Sequence, residues 1–193
     1  MANEKANPNG KAKTSPFATG IAGLMKIPAP PITFTTQSNV DEDWARFSAD
    51  LALILSDLDE DEFLIISTKK TGLYVQFAAQ GKFGMRAEAV SNNYVDDETL
   101  PHDARVVMHD LGWNSPTKLP ARADPEGHTS DGSPNFFIDA ASPVPYEAIA
   151  SLAVVTLRFV FRVGHPGELK YRSFGDKADS IRLPTLRIAR ERP

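Results

Sequence analysis

The chain has no cysteine among its 193 residues, which excludes disulfide bonds, thiol catalysis and cysteine-ligated zinc. This absence suits a reducing compartment, and we expect the protein to reside in the cytoplasm. The longest apolar run, from Ala148 to Leu157, is interrupted by Ser151 and Thr156. It falls well short of the roughly 20 residues that a membrane-spanning helix needs. The run from Phe17 to Met25 is too broken for a good secretory signal, so we expect no membrane partner.

A net positive charge is also absent, and the charges that exist are unevenly distributed. The chain carries a net charge of −4, from 21 basic and 25 acidic residues. Residues 1–37 carry +3 and residues 175–193 carry +2, which leaves −9 for residues 38–174. Nucleic-acid affinity comes largely from lysine and arginine side chains that neutralise phosphates. The acidic central region therefore predicts a protein without a nucleic-acid partner.

The motifs of common enzymes are missing as well. The sequence has neither the Gly-x-Ser-x-Gly elbow of acyl transfer nor a glycine-rich phosphate loop. The spacing of Asp57, Asp59 and Asp61 imitates the start of a calcium loop, but Glu62 stands where that loop needs glycine and Thr68 where it needs glutamate. No partners for metal binding or base catalysis are evident around the histidines, which are His102, His109, His128 and His165. We predict no catalytic residue, no metal site and no cofactor.

Composition and periodicity divide the chain into three regions. Composition predicts a disordered or extended arm at residues 1–37. Periodicity predicts an α+β domain at residues 38–174, and a basic tail follows at residues 175–193. The domain opens with a helix that we place from about Ser38, where Ser38 and Asp41 can form a capping pair. Spacings of three and four residues give this helix one apolar stripe, which consists of Trp44, Phe47, Leu51, Ile54 and Leu58.

Three short strands are expected after this helix. Period-two alternation predicts strands at 63–67, 73–77 and 83–89, joined by glycine-containing turns. They form an antiparallel meander with one solvated face. The residues expected on one side of the third strand are Phe83, Met85, Ala87 and Ala89.

The second half of the domain alternates helix and strand. A second helix is expected at 101–111, with Gly112 as its left-handed stop and an apolar face of Ala104, Val107, Met108 and Leu111. Residues 114–134 form a long loop that is either mobile or functional. A short strand at 135–138, a third helix from about 143 or 145 to 162 and a last strand at 169–174 complete the order α-β-β-β-α-β-α-β. We expect the third helix to be the longest element and to end at Gly164.

The second face of the predicted meander offers candidates for peptide binding. They are Tyr74, Gln76, Arg86 and Glu88, with Trp113 and Phe136 as possible apolar neighbours. The alternative is a solvated face with Trp113 buried at the end of the second helix. An open sheet edge also permits an extended peptide to bind by strand addition.

Several segments together resemble a known family, the YbjN and type III secretion chaperone-like (TY-Chap) domains, in particular their actinobacterial branch. The matching segments are the helix with Trp44 and Leu51, the strand 72–77, the stretch 86–94, Leu111-Gly-Trp113, Pro134-Asn135 and the final helix with Thr156-Leu-Arg. The resemblance covers about residues 38–174. The loop 114–134 and both basic ends are extra to the family pattern.

The resemblance implies both a fold and a function. It implies an α+β sandwich in which helices pack mainly on one face of a curved antiparallel sheet. Secretion chaperones of this type are acidic, form homodimers and bind extended client segments, while the YbjN branch is described as sensory or regulatory. We therefore expect a non-enzymatic peptide- or protein-binding domain that forms a homodimer. The alternative is a regulator that binds a partner protein, or a small ligand between the sheet and the third helix.

Overall fold

The computed structural model describes residues 36–95, 100, 102–117, 132–175 and 183–191, all within one compact unit, Thr35–Pro193. The helices are α1 (Thr36–Asp57), α2 (His102–Asp110) and α3 (Tyr146–Val155). The strands are β1 (Phe63–Thr68), β2 (Tyr74–Ala79), β3 (Met85–Ala89), β4 (Phe136–Ala140), β5 (Leu169–Phe174) and β6 (Ala189–Arg190). The predicted order of elements is confirmed, and β6 is added at its end.

Helix α1 forms because its apolar side chains recur at helical spacing. Trp44, Phe47 and Leu51 are at most 3% exposed, and Ile54 is also buried, which confirms these four residues of the predicted stripe as the face that enters the core. Leu58, the fifth, follows the end of the helix and is half-buried. The helix begins at Thr36, two residues before the expected start, and its 22 residues make it longer than α3. No helix in the described ranges combines the length and apolar character needed to cross a membrane.

Helix α3 ends earlier than the sequence predicts. Its α-helical part has 10 residues and continues into a π-helical turn at Thr156–Val160, so the expectation that it would be the longest element is wrong. The chain then reverses at Arg162, whose φ of 56° lies in the left-handed region. Glycine is the usual residue for this conformation, and the expected stop at Gly164 therefore lies two residues after the observed one.

The strands form one six-stranded open sheet in the order β4-β3-β2-β1-β5-β6. The pairs from β4 to β5 are antiparallel, and β6 runs parallel to β5 through Lys170 and Tyr171. The predicted α+β fold with a largely antiparallel sheet is therefore confirmed. The sequence does not reveal β6, because two residues are too few to show period-two alternation.

The sheet buries one of its faces against the helices. Strand β2 alternates between half-buried and buried positions, as its sequence predicts. The buried inner-face residues join side chains from α1 and α3 in a single core cluster; they are Leu64, Ile66, Val75, Phe77, Met85, Ala87, Ala89, Leu169 and Tyr171. The expectation that the helices pack mainly on one face is confirmed.

Two apolar side chains do not lie where the sequence pattern places them. Phe83 belongs to a 3-10 turn, Gly81–Phe83, and is 68% exposed. Gly84 follows with a φ of 110°, so the alternation of β3 starts only after it. Val107 is 44% exposed on α2, whereas Ala104 and Met108 are buried and Leu111 packs partly buried against the core.

The end of α2 leads directly into the core. Gly112 has a φ of 100°, which confirms it as the left-handed stop, and the next residue, Trp113, is 2% exposed. Beyond it, Asn114 pairs with Phe137 and the Thr117 amide donates to the Ser133 carbonyl at 2.8 Å. These contacts bring the two ends of the predicted long loop together. The prediction that the loop is mobile or functional falls mainly on residues 118–131, which lie outside the described ranges.

Part of the expected C-terminal tail contributes to the domain. Leu183 and Leu186 are buried in the core cluster, and β6 extends the sheet beside β5. The Lys170 Nζ atom donates to Glu191 Oε1 at 2.7 Å. This bond lowers the pKa of the Glu191 carboxyl group. Residues 183–191 therefore fold together with the residues that precede them.

Candidate functional site

One face of the sheet is turned away from the helices, and we call it the outer face. Its side chains alternate along each strand with those of the inner face. The strand register places one row of them side by side in the order Asp139, Arg86, Ala78, Phe63 and Phe174. The next row contains Phe137, Glu88, Gln76, Ile65 and Arg172. Phe63 is 40% and Phe174 is 36% exposed, so this face presents aromatic surface to solvent.

The outer face contains a shallow cavity of about 200 Å³, which we call the outer groove. Its lining residues are Phe63, Ile65, Gln76, Phe77, Ala78, Arg86, Glu88 and Phe174. The groove exists because Ala78, a small residue, lies between Phe63 on β1 and Arg86 on β3 in the same row. One wall is apolar and the other carries polar groups, a combination that is typical of ligand sites.

The polar wall is organised by amide and guanidinium groups. The Glu88 Oε2 atom accepts hydrogen bonds from the Gln76 and Asn135 side-chain amides, the second at 3.2 Å. Arg86 donates from Nε and Nη2 to the two carboxylate oxygens of Asp139 at 2.6 and 2.8 Å. Such two-fold contacts fix the orientation of a guanidinium group. The wall is therefore held in place before any ligand binds.

The apolar wall is aromatic. Phe63 and Phe174 are register partners on β1 and β5, and the Arg172 guanidinium lies 4.7 Å from the centre of the Phe174 ring. Sequence reasoning did not select Phe63, Ile65 or Phe174 as site residues. The signal was available, because period-two alternation places Phe63 and Ile65 on the face opposite to Leu64.

Tyr74 lies on the same face as the groove but does not line it. The Asn135 Nδ2 atom, which also donates to Glu88, donates to the Tyr74 hydroxyl group at 3.3 Å. Burial raises the pKa of the Tyr74 phenol above its usual value, the hydrogen bond with Asn135 acts against this, and Tyr94 and Glu88 add to the rise. Asn135 therefore connects Tyr74 with the polar wall, and sequence reasoning did not identify this residue as part of the site.

The structure separates the remaining two candidates from this site. Trp113 is buried, and its Nε1 atom donates to Thr156 Oγ1 at 2.9 Å. Phe136 is also buried and lines a different cavity of about 450 Å³, together with Ser91, Asn92, Asn93, Arg105, Ser115, Pro116 and Thr117. Of the six predicted residues, the structure brings Gln76, Arg86 and Glu88 together in the groove, with Tyr74 beside them.

The other predicted chemistry can be placed in the same way. The small ligand of the alternative hypothesis would bind between the sheet and α3, where the fully buried side chains include Ala150, Ala153 and Leu157. His165 Nε2 lies 3.1 Å from Asp43 Oδ2 at the surface. In the part of the chain that the structure describes, no three histidine, aspartate or glutamate side chains come together as metal ligands.

Comparison with known proteins adds one match. A family model described as "T3SS (YopN, CesT) and YbjN peptide-binding chaperone 3" matches residues 37–175. Neither a curated protein nor a solved structure matches the chain. The matched range begins at the start of α1 and ends just after β5, so it includes every residue that lines the outer groove.

Proposed function

Since the chain belongs to this family of peptide-binding chaperones, as its resemblance predicts, we propose that the protein binds extended segments of a client protein in the outer groove. The observation that carries the proposal is the groove itself, an apolar depression with a fixed polar wall on the face of the sheet turned away from the helices. The proposal contains no catalytic step. Peptide binding, the role of the family, is thereby assigned to the outer groove of this chain.

The small size of the groove limits the binding free energy that it can contribute. Burying one aliphatic or aromatic side chain of a ligand contributes about 1.5–3 kcal/mol, whereas a dissociation constant of about 1 µM requires about 8 kcal/mol. One anchor in the groove is therefore insufficient. An extended segment that also contacts neighbouring parts of the outer face, including Phe137 and Tyr74, would supply the rest.

The proposal is tested by a substitution that fills the groove with a larger side chain. Peptides are selected from a phage-displayed random library on the wild-type protein, and their affinities are measured by fluorescence anisotropy. Ala78→Leu places a larger side chain in the depression and leaves every charge unchanged, so we expect binding to weaken by tenfold or more, which corresponds to about 1.4 kcal/mol. Ala148→Leu makes the same chemical change at an exposed position of α3 and should leave binding unchanged.

Two outcomes would contradict the proposed site. Equal affinity of wild type and Ala78→Leu would place peptide binding elsewhere on the molecule. A library that yields no specific peptide for the correctly folded wild-type protein would argue against peptide binding itself.

We also propose that the protein forms a homodimer in the cytoplasm. The homodimer is supported by the family resemblance and by Phe159, which is 64% exposed next to α3. Cytoplasmic residence is supported by the absence of cysteine. Size-exclusion chromatography with light scattering measures the mass directly, and a monomer mass at micromolar concentration would refute the dimer.

A further inference from the structure

We infer that the client segment carries a lysine or arginine two residues away from its apolar anchor, and that the Glu88 carboxylate receives this cation. The inference rests on the proposed function, because it specifies the chemistry of the segment that the outer groove binds. Three separate features lead to it: the hydrogen-bond partners of Glu88, the distance from Glu88 to the centre of the groove, and the charge of the surrounding domain.

The first feature is a carboxylate that has no ion-pair partner in the part of the chain that the structure describes. Glu88 is half-buried in the groove wall and accepts hydrogen bonds from two neutral amides, those of Gln76 and Asn135. None of the ion pairs found within the described ranges includes Glu88. Arg86, its neighbour on the same face of β3, donates twice to Asp139 and once to the Gly132 carbonyl oxygen. The amides orient the carboxylate but leave its negative charge for a ligand.

The second feature is the spacing across the sheet. Gln76 pairs with Glu88 and Ala78 with Arg86 in the register of β2 and β3, so Ala78 and Glu88 are diagonal neighbours. Diagonal neighbours on one face lie about 7–8 Å apart. In an extended peptide, side chains at positions i and i+2 point to the same side and are separated by about 6.4–6.8 Å. A peptide that has its anchor over Ala78 and runs along this diagonal therefore brings the side chain two residues away to Glu88.

The third feature is the electrostatic field that the net charge of the whole domain produces. Residues 38–174 carry a net charge of −9, and an acidic surface attracts basic ligands and raises their association rate. The local and the overall charge therefore favour the same ligand. Two cations oppose this preference. Arg86 lines the groove but donates twice to Asp139, and Arg172 stacks on Phe174 and is not among the lining residues.

The experiment uses short labelled peptides of the symmetric form Xaa-Thr-Phe-Thr-Xaa, in which Xaa is lysine, glutamine or glutamate. The symmetry makes the result independent of the direction in which the peptide binds. With the full-length wild-type protein we expect the lysine peptide to bind about threefold to tenfold more tightly than the glutamine peptide. The glutamate peptide should bind most weakly. Added salt should reduce these differences.

Variants then locate the effect. Glu88→Gln should make the lysine and glutamine peptides equal in affinity, while Glu147→Gln, which removes the same charge from an exposed position on α3, should preserve the preference for lysine. A peptide with lysines next to the phenylalanine instead of two residues away should lose the advantage. Because the wild-type peptide series needs no variant, it remains decisive even if Glu88→Gln fails to fold.

The outcomes separate this inference from the proposed function. Equal binding of the lysine and glutamine peptides, both weakened by Ala78→Leu, would overturn the inference and support the groove as the peptide site. Tighter binding of the glutamate peptide, lost in Arg172→Gln, would assign the charge preference to Arg172 and also overturn it. Absence of binding by all three peptides, together with an unproductive library selection, would contradict the proposed function.

Discussion

The hydrogen bond between Trp113 and Thr156 is expected to stabilise the core, and a double-mutant cycle measures its contribution. Both side chains are at most 2% exposed, and the indole Nε1 atom donates to Thr156 Oγ1 at 2.9 Å. The same hydroxyl group donates to the Leu152 carbonyl at 2.9 Å. Thr156→Val keeps the shape of the side chain but leaves the indole N–H buried without an acceptor.

The expected magnitude follows from the cost of such a buried donor. An unsatisfied buried polar group costs about 1–3 kcal/mol, and for a unit of this size each kcal/mol lowers Tm by about 2–4 °C. Trp113→Phe removes the donor and leaves a smaller ring in the core. In the Trp113→Phe background, Thr156→Val should therefore cost clearly less than it does in the wild type, with an interaction energy of about 0.5–3 kcal/mol.

Urea unfolding followed by far-UV circular dichroism gives the four free energies and does not depend on the fluorescence of Trp113. Thr185→Val makes the same replacement at an exposed position and should change stability by less than about 0.5 kcal/mol. An equal cost of Thr156→Val in both backgrounds, to within about 0.5 kcal/mol, would refute the predicted interaction energy. In that case the bond would add nothing to the packing of the two side chains.

Three further predictions concern the core, the sheet and pH. Trp44→Ala should destabilise the fold by about 3–5 kcal/mol in urea unfolding, because Trp44 is 1% exposed; a cost below about 1 kcal/mol would show that the site collapses without loss. Gly84→Ala should increase amide hydrogen exchange in β3 and β4, since Gly84 has a φ of 110° and an added Cβ would overlap the Ala140 carbonyl oxygen; wild-type exchange would contradict this. The folded state raises the pKa of Tyr74 above 10.0, so the resulting stabilisation is complete below pH 10.0 and is lost as pH rises through the higher value. Above pH 10.0, the stability of the wild type should therefore fall more steeply than that of Tyr74→Phe. Parallel alkaline stability profiles would refute the raised pKa of Tyr74.

The sequence predicted the elements of the fold well where a single period dominates. The α1 stripe and the alternation of β2 are read directly from residue spacing, because a helix or a strand repeats its buried face regularly. Prediction was poorer at element ends. In the sequence, Phe83 continues the alternation of β3, but the glycine that follows it redirects the chain. Arg162 adopts a left-handed conformation although Gly164 is close by.

The candidate site was predicted in part for a related reason. Alternation identified Gln76, Arg86 and Glu88 as members of one face, and register places them in one groove. Trp113 was proposed as an apolar neighbour of that face, but its indole group is buried beside Thr156, a residue 43 positions away. Local patterns carry no information on such pairs, since they depend on how helices pack against the sheet.

The sequence by itself determined what each segment can become: which residues form helices and strands, which side of each strand is apolar, and that 38–174 is acidic. The family resemblance also depends on sequence alone. The tertiary structure decided what those segments form together. It placed Phe63 beside Phe174, left a depression above Ala78 and surrounded Glu88 with neutral amides, because strand order and register bring together residues that are distant along the chain.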